Sequence, residues 1–478
     1  MSQVSIRVGS ALLSAAVVAM IVGSHSAPLR GQNLPTAVPT NAPTGPPPRM
    51  PNGKPDLQGV WQRAYVPDMT HNGRGQVGYA EPPYTITDTP ARRDELRKQG
   101  QYADLPYTAE GLADWKKWDN AKLNDPFKSI SGTRIAAKAD WTCRRAEIMA
   151  QAQQYELGPK PDKPSSVTAA MNGSSLAVTV SDGKSTATFS ATITLPSTGA
   201  PPYPAMIGIG GISIGPAQLN AMGVATIIFP NDTIAAQQDA SSRGKGLFYD
   251  FYGRTHPAGA MMAWAWGVSR LIDALEQTPE ANIDPARLGV TGCSRNGKGA
   301  LIAGAFDERI ALTIPQESGS GGSASWRVSD AQVVSGTPVQ TLSEITGENV
   351  WFASSFAQFN ASELPFDHHM IEAMVAPRAL LVIENTSQVW LGNVSTFNDS
   401  MAAHLVWEAL GIADKMGVSQ IGDHAHCEWK GSQQAEVTAY VQKFLVGVGT
   451  ADTNVLKTDG SFTFDRATWV DWDVPSLP

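Results

Sequence analysis

A chain of 478 residues with 42% hydrophobic and 17% charged side chains has enough apolar material for a sizeable core, and its length favours one α/β domain of roughly 300 to 350 residues with appendages over two equal domains. The formal net charge of −8, with no Lys/Arg-dense segment, argues against a nucleic-acid partner, because phosphate binding needs a basic surface. Small neutral or sugar-like ligands suit such a surface better.

From the N-terminus, Arg7, an apolar run from Ala11 to Val22 and the small residues Ser24, Ser26 and Ala27 read as a secretory signal over residues 1–27. The run is too short to span a bilayer. The processed chain is therefore expected to be secreted, extracellular or periplasmic, without membrane attachment and where disulfides are allowed. Residues 28–55 are too rich in Pro, Thr, Ala and Gly to bury a core and read as an extended linker. Residues 56–125 carry Trp61, an extended stretch Tyr84 to Thr87 and a helical stretch Thr108 to Leu123; they are expected to form an extension packed on the main domain, 126–478. No segment repeats at a period of about 20 to 50 residues, which argues against a solenoid or propeller.

Beyond Ile135, strand and helix signals alternate. Ser175 to Val180 and Thr186 to Leu195 alternate polar and apolar residues around Asp182-Gly183, a hairpin signal. Ala205 to Ile209 and Val224 to Phe229 are continuous apolar runs, as in strands covered on both faces. Met261 to Leu275 has helical spacing, Leu288 to Thr291, Ile310 to Pro315 and Ala379 to Ile383 read as strands, and Gln433 to Leu445 as a closing helix. This order predicts an α/β fold, a three-layer αβα sandwich around a mostly parallel sheet.

The run LGVTGCSRNGKGALIAGAF, 288–306, has the layout of a nucleophile elbow: strand, tight turn and helix, with Gly292 before Ser294 and Gly297 after it. Glycines serve there because strand and helix backbones pass close together while the serine is strained into exposing its hydroxyl. The second glycine stands one place later than in the common G-x-S-x-G, so the turn by itself also admits a plain Gly-rich helix start. A serine nucleophile needs a base, and the base needs an orienting acid; in α/β hydrolases they follow in the order serine, acid, histidine. The segment GDHAHCEW, 422–429, lies after the last strand and supplies His424 and His426. Two imidazoles need further ligands to hold a metal, and no nearby Cys or His cluster provides them, so no metal is expected.

The three cysteines, Cys143, Cys293 and Cys427, allow one intramolecular bridge. If Ser294 and His426 come within hydrogen-bond reach, their neighbours Cys293 and Cys427 come within the roughly 4.4 to 6.8 Å Cα separation of a disulfide. That consideration selects His426 over His424 and leaves Cys143 free. For the acid, position in the fold favours Glu384, which ends a strand, over Glu317, which follows the preceding one.

The segments GCSRNGKGA (292–300), QESGSGGSASWR (316–327), QTLSEITGENVWF (340–352), LPFDHH (364–369), WLG (390–392) and SQIGDHAHC (419–427) together resemble the glucuronoyl esterases of carbohydrate esterase family 15, in particular their fungal-type branch. The resemblance runs from about Pro126 to Trp472. It implies an α/β-hydrolase fold and a serine esterase, without metal or organic cofactor, that cuts esters between (4-O-methyl)glucuronic acid of glucuronoxylan and lignin alcohols; a monomer is expected, and the sequence leaves the oligomeric state open. By this resemblance the catalytic serine, glutamate and histidine fall on Ser294, Glu317 and His426, and the neighbouring disulfide on Cys293 and Cys427. The oxyanion-stabilising arginine falls on Arg295, which offers charged donors where negative charge develops. The uronate ligands fall on Lys298, Gln340, Glu348 and Trp390, three hydrogen-bonding groups and one apolar face. Asp367, His368 and His369 read as structural. The partner expected for Cys143 is missing, and the region before Leu123 looks more like secreted bacterial proteins, which leaves the source open. The rival readings are another carbohydrate esterase, such as one removing acetyl groups from xylan, and a non-catalytic carbohydrate-binding protein on a hydrolase fold.

Overall fold

The computed structural model describes residues 121–428 and 431–478. The signal, the linker, the stretch Tyr84 to Thr87 and nearly all of the helix expected over Thr108 to Leu123 lie outside the described residues; 121–123 are irregular. Within the described residues, ten strands form one sheet in the order β1-β2-β3-β5-β4-β6-β7-β8-β9-β10. They are β1 Ser166–Asn172, β2 Ser175–Ser181, β3 Thr186–Thr194, β4 Tyr203–Ile209, β5 Ala225–Phe229, β6 Ile283–Cys293, β7 Ile310–Gln316, β8 Ala379–Glu384, β9 Met416–Gln420 and β10 Leu456–Thr458. β1, β2, β3 and β5 pair antiparallel in turn, and every later pairing, from β5–β4 across to β9–β10, is parallel.

Local chemistry accounts for this division. In the β2–β3 hairpin, Asp182 Oδ1 accepts the Lys184 and Ser185 N–H groups at 2.8 and 2.7 Å, and Gly183 takes φ +87°. β2 and β3 alternate between buried and more exposed residues, whereas all six residues of β8 are buried. One-sided strands pair as hairpins at the sheet edge, and two-sided strands need helices on both faces.

Those helices are α1 Asp140–Ala152, α2 Pro216–Ala221, α3 Ala260–Leu275, α4 Arg295–Phe306, α5 Asn393–Leu410 and α6 Gln434–Tyr440. Alternate residues of β8 feed two separate apolar cores: Leu380 and Val382 pack in the core shared by α3, α4 and α5, while Ala379, Leu381 and Ile383 pack in the core shared by α2 and α6. The result is the three-layer sandwich of an α/β hydrolase. α3 is buried on every side, as expected of a helix apolar all round. Residues before the expected domain start also belong to it: Leu123 is fully buried, and its N–H donates to the Trp469 carbonyl at 2.9 Å. No helix among the described residues is long and apolar enough to cross a membrane.

Candidate active site

Register across the parallel strands brings the candidate side chains to one edge. Cys293 pairs with Gln316, Gln316 with Ile383, and Glu384 with Gln420. The chain leaves the sheet just beyond these residues, so Ser294, Glu317, Asn385 and the 421–428 loop converge at the carboxyl ends of the strands, where open α/β sheets bind ligands.

Ser294 sits between β6 and α4 at φ +60°, ψ −128°, a conformation disfavoured for a residue with a Cβ and costing about 1–3 kcal/mol. The backbones pack closely enough around it that a Cβ on Gly292 would lie 2.5 Å from the Asn296 carbonyl oxygen, and one on Gly297 2.6 Å from that of Gln316. The displaced glycine thus still serves strand–helix contact, and the residue two places after the serine is Asn296. Because α4 starts at Arg295, its first N–H groups and the positive end of its dipole lie beside the serine.

His426 Nδ1 is 2.7 Å from Glu317 Oε2, and that oxygen also accepts the Cys427 N–H at 3.1 Å. Glu317 is fully buried, in a left-handed turn at φ +44°, with its own N–H on the Ile383 carbonyl at 2.7 Å. A carboxylate on Nδ1 fixes the proton there and leaves Nε2 basic; Nε2 is buried and has no hydrogen-bond partner among the described residues. His424 is held differently, its Nε2 2.9 Å from the Ile421 carbonyl and its Nδ1 3.2 Å from Asn385 Nδ2. Glu384 does not reach either ring: its Oε1 accepts the Ser318 and Gly319 N–H groups at 2.8 and 3.1 Å. Burial, with the Glu317 charge nearby, pushes the Glu384 carboxyl up to about 8. The acid that touches His426 is thus the one after β7, and the one that ends β8 holds the turn that presents it.

Cys293 and Cys427 form a disulfide with a Cα–Cα distance of 5.7 Å, and Cys143 is free and exposed. The only cluster with metal-ligand spacing among the described residues is Cys293, His426 and Cys427, whose sulfurs are engaged in that bond. The bridge spans 134 residues and closes a long loop in the unfolded chain. Replacing both cysteines by alanine should therefore cost about 2–5 kcal/mol, read as a lowered urea midpoint. An unchanged midpoint would show that the bridge does not stabilise the fold.

Beside the serine, Arg295 Cζ lies 5.3 Å and Lys298 Nζ 5.7 Å from the ring centroid of Trp351. Lys298 is buried, donates to the Ser318 carbonyl, and burial pulls its ammonium down to about 8 against the opposing pull of Glu348 and Glu384. Gln340 Nε2 donates to Glu348 Oε2 at 2.6 Å, and the Gln340 N–H donates to the Trp390 carbonyl at 3.0 Å. Trp390 is 40% exposed, meets the His426 ring edge-on at 5.2 Å and donates its indole N–H to Gln388 Oε1 at 3.3 Å, so its ring face is what it offers. These contacts link all four expected uronate ligands to the serine and histidine region. Asp367 and His368 lie elsewhere, fully buried: Asp367 accepts from Ser325, Trp326 and Arg327, and His368 Nε2 meets Glu156 at 3.0 Å. Sequence reasoning missed Trp351 and Asn385; Trp351 stood inside the ENVWF motif, and Asn385 carried no signal.

A serine on a strand–helix elbow, with a histidine–carboxylate pair at neighbouring strand ends, is the arrangement of a serine hydrolase on the α/β-hydrolase fold. Residues 178–411 match the profile of the family "Glucuronyl esterase, fungi". The chain is 51% identical over 360 residues to the 4-O-methyl-glucuronoyl methylesterase of Hypocrea jecorina, covering 75% of this chain and 76% of that one. The solved catalytic domain of the Hypocrea jecorina glucuronoyl esterase superposes with a TM-score of 0.72 over 75% of this chain and 98% of that one, at 51% identity. A mutant glucuronoyl esterase of Sporotrichum thermophile in complex with methyl 4-O-methyl-β-D-glucopyranuronate gives the same TM-score at 46% identity, over 75% and 97% of the two chains. This chain belongs to the glucuronoyl esterase family.

Proposed function

We propose that this protein hydrolyses esters of (4-O-methyl)glucuronic acid through an acyl-enzyme on Ser294, and that its natural substrate is the ester between glucuronoxylan and lignin alcohols. The observation that carries the reading is His426, with Nδ1 on buried Glu317 and its other nitrogen unpartnered, in a loop bridged to the residue before Ser294. His426 Nε2 takes the proton of Ser294 Oγ as that oxygen attacks the ester carbonyl at C6. The tetrahedral oxyanion is met by the Arg295 guanidinium and by main-chain N–H groups at the start of α4. His426 then returns the proton to the departing alcohol, and a water activated by the same nitrogen frees the acid and restores the serine.

Lys298, Gln340, Glu348 and Trp390 bind the sugar in this reading, Lys298 by donating from its ammonium to ring hydroxyls. The ammonium is held below about pH 8 and progressively lost above it. KM for methyl glucuronate is therefore expected to rise between pH 7 and 9.5, while KM for p-nitrophenyl acetate, which has no sugar to bind, stays level. A level KM for both esters would detach Lys298 from the sugar.

Residues from about Leu123 to Pro478 form the catalytic domain in this reading, preceded by the signal 1–27, the linker 28–55 and an extension from residue 56, and the processed protein acts outside the cell as a monomer. The test of the whole is product analysis: release of uronic acid from methyl 4-O-methylglucuronate and from lignin–xylan preparations supports it, while acetate release from acetylated xylan with no uronate cleavage would replace it by the acetyl esterase rival.

A further inference from the structure

Gln237 lies beyond β5, outside every motif read from the sequence, and is 5% exposed. All its side-chain hydrogen-bonding capacity faces the candidate site. Oε1 accepts the indole N–H of Trp351 at 2.9 Å, and Nε2 donates to Asp232 Oδ1 at 2.8 Å and to Asn296 Oδ1 at 3.1 Å. Its main-chain carbonyl accepts from Asn349 Nδ2 at 2.8 Å and from the Arg295 guanidinium at 3.4 Å. An indole nitrogen only donates, so the orientation of this amide is fixed by chemistry.

Two of the side-chain partners, Trp351 and Asn296, lead to the place where negative charge would develop. Trp351 is the ring under the Arg295 guanidinium. Asn296 follows Ser294 by two residues, and its Nδ2 stands 2.1 Å from where a Cβ on Gly210 would be. It therefore presses on the main chain just past β4, the loop that supplies the second oxyanion N–H in α/β hydrolases. Asn231 Nδ2 meets the same Asn296 oxygen at 3.2 Å, but only Gln237 also touches Arg295 and Trp351.

We propose that the Gln237 side chain is a positioning group for the oxyanion site, holding Arg295 through the Trp351 ring on one side and the Asn296–Gly210 contact on the other. The proposal rests on the reading of Ser294 and Arg295 given above. Glutamate in its place has no donor for Asp232 or Asn296, and alanine leaves the Trp351 N–H and the Asn296 oxygen short of a partner in a buried site.

The test is a double-mutant cycle on methyl glucuronate with Gln237→Ala, Arg295→Ala and both together, with Gln237→Glu, which keeps the volume, run through the same cycle in case the alanine variant unfolds. Gln237→Ala is expected to lower kcat by roughly 10-fold to 100-fold, less than the loss of a direct oxyanion donor. In the Arg295→Ala background the same change is expected to cost several-fold less than in wild type, because the part that acts through Arg295 is already lost while the part that acts through Asn296 remains. An equal loss in both backgrounds, or a Gln237→Glu enzyme as fast as wild type, would overturn the proposal. Arg295→Ala with unchanged kcat would instead defeat the Arg295 assignment on which it stands, so the two failures are read from different arms of the cycle.

Discussion

Replacing Ser294 by alanine should lower turnover of methyl glucuronate by about 10⁴-fold to 10⁶-fold, the loss typical of a nucleophile removed from a working triad, while leaving thermal unfolding close to wild type. The first expectation follows from the mechanism, in which no other hydroxyl receives the acyl group. The second follows from the surroundings of the side chain. Ser294 is half-buried, and its hydrogen bonds among the described residues are made by the main chain: its N–H to the Gln316 carbonyl at 2.9 Å and its carbonyl from the Lys298 N–H at 3.0 Å. Alanine keeps both, and it pays the same backbone strain at φ +60°. Initial rates and a melting curve on the two proteins check this. A variant retaining more than about a tenth of the wild-type rate would remove Ser294 from the chemistry.

The second large effect separates the two buried acids. Glu317→Gln is expected to lower kcat by about 10³-fold to 10⁴-fold, because an amide beside His426 Nδ1 no longer stabilises the imidazolium or enforces the tautomer that leaves Nε2 basic. Glu384→Gln is expected to stay within about tenfold of wild type. Its carboxyl, pushed up to about 8, already carries a proton at neutral pH, and an amide oxygen can still accept the Ser318 and Gly319 N–H groups. Steady-state kcat for the pair decides the matter: the opposite ranking would move the orienting acid to Glu384 and reduce the 2.7 Å contact of Glu317 with His426 to a structural one.

These two acids also mark where the sequence stops being legible. Ser294 could be located because a nucleophile elbow is local, a strand, a turn and a helix with glycines at the close contacts. His426 could be located because the order of triad residues and the adjacent cysteines narrow the choice. The acid is different. Gln316 and Ile383 are partners in the sheet, so Glu317 and Glu384 stand next to each other at its carboxyl edge, and only the turn at Glu317 aims one of them at the histidine. The left-handed position in that turn is the glutamate itself and not a glycine, so the sequence does not announce it. The parallel strands β4 to β8 were readable as apolar runs, but the short β9 and β10 were not, and neither was β1, since only Val167 of its seven residues is buried. α5 was hidden for the opposite reason: Ser395, Thr396, Asn398, Asp399 and Ser400 are buried polar residues that break the apolar helical pattern. Gln237 belongs with these, because a hydrogen-bond network formed across loops distant in sequence leaves no periodic trace.

The most direct test of the uronate-esterase reading is the specificity of one variant measured on two esters. Wild type and Lys298→Ala are each assayed on benzyl glucuronate and on p-nitrophenyl acetate. Wild type should prefer the uronate ester, and the variant should lose that activity while keeping residual acetate cleavage, because in the proposed reading Lys298 binds the sugar and not the reacting carbonyl. If both proteins prefer acetate, the chain is a general esterase on this fold and the group formed by Lys298, Gln340, Glu348 and Trp390 is not a uronate site.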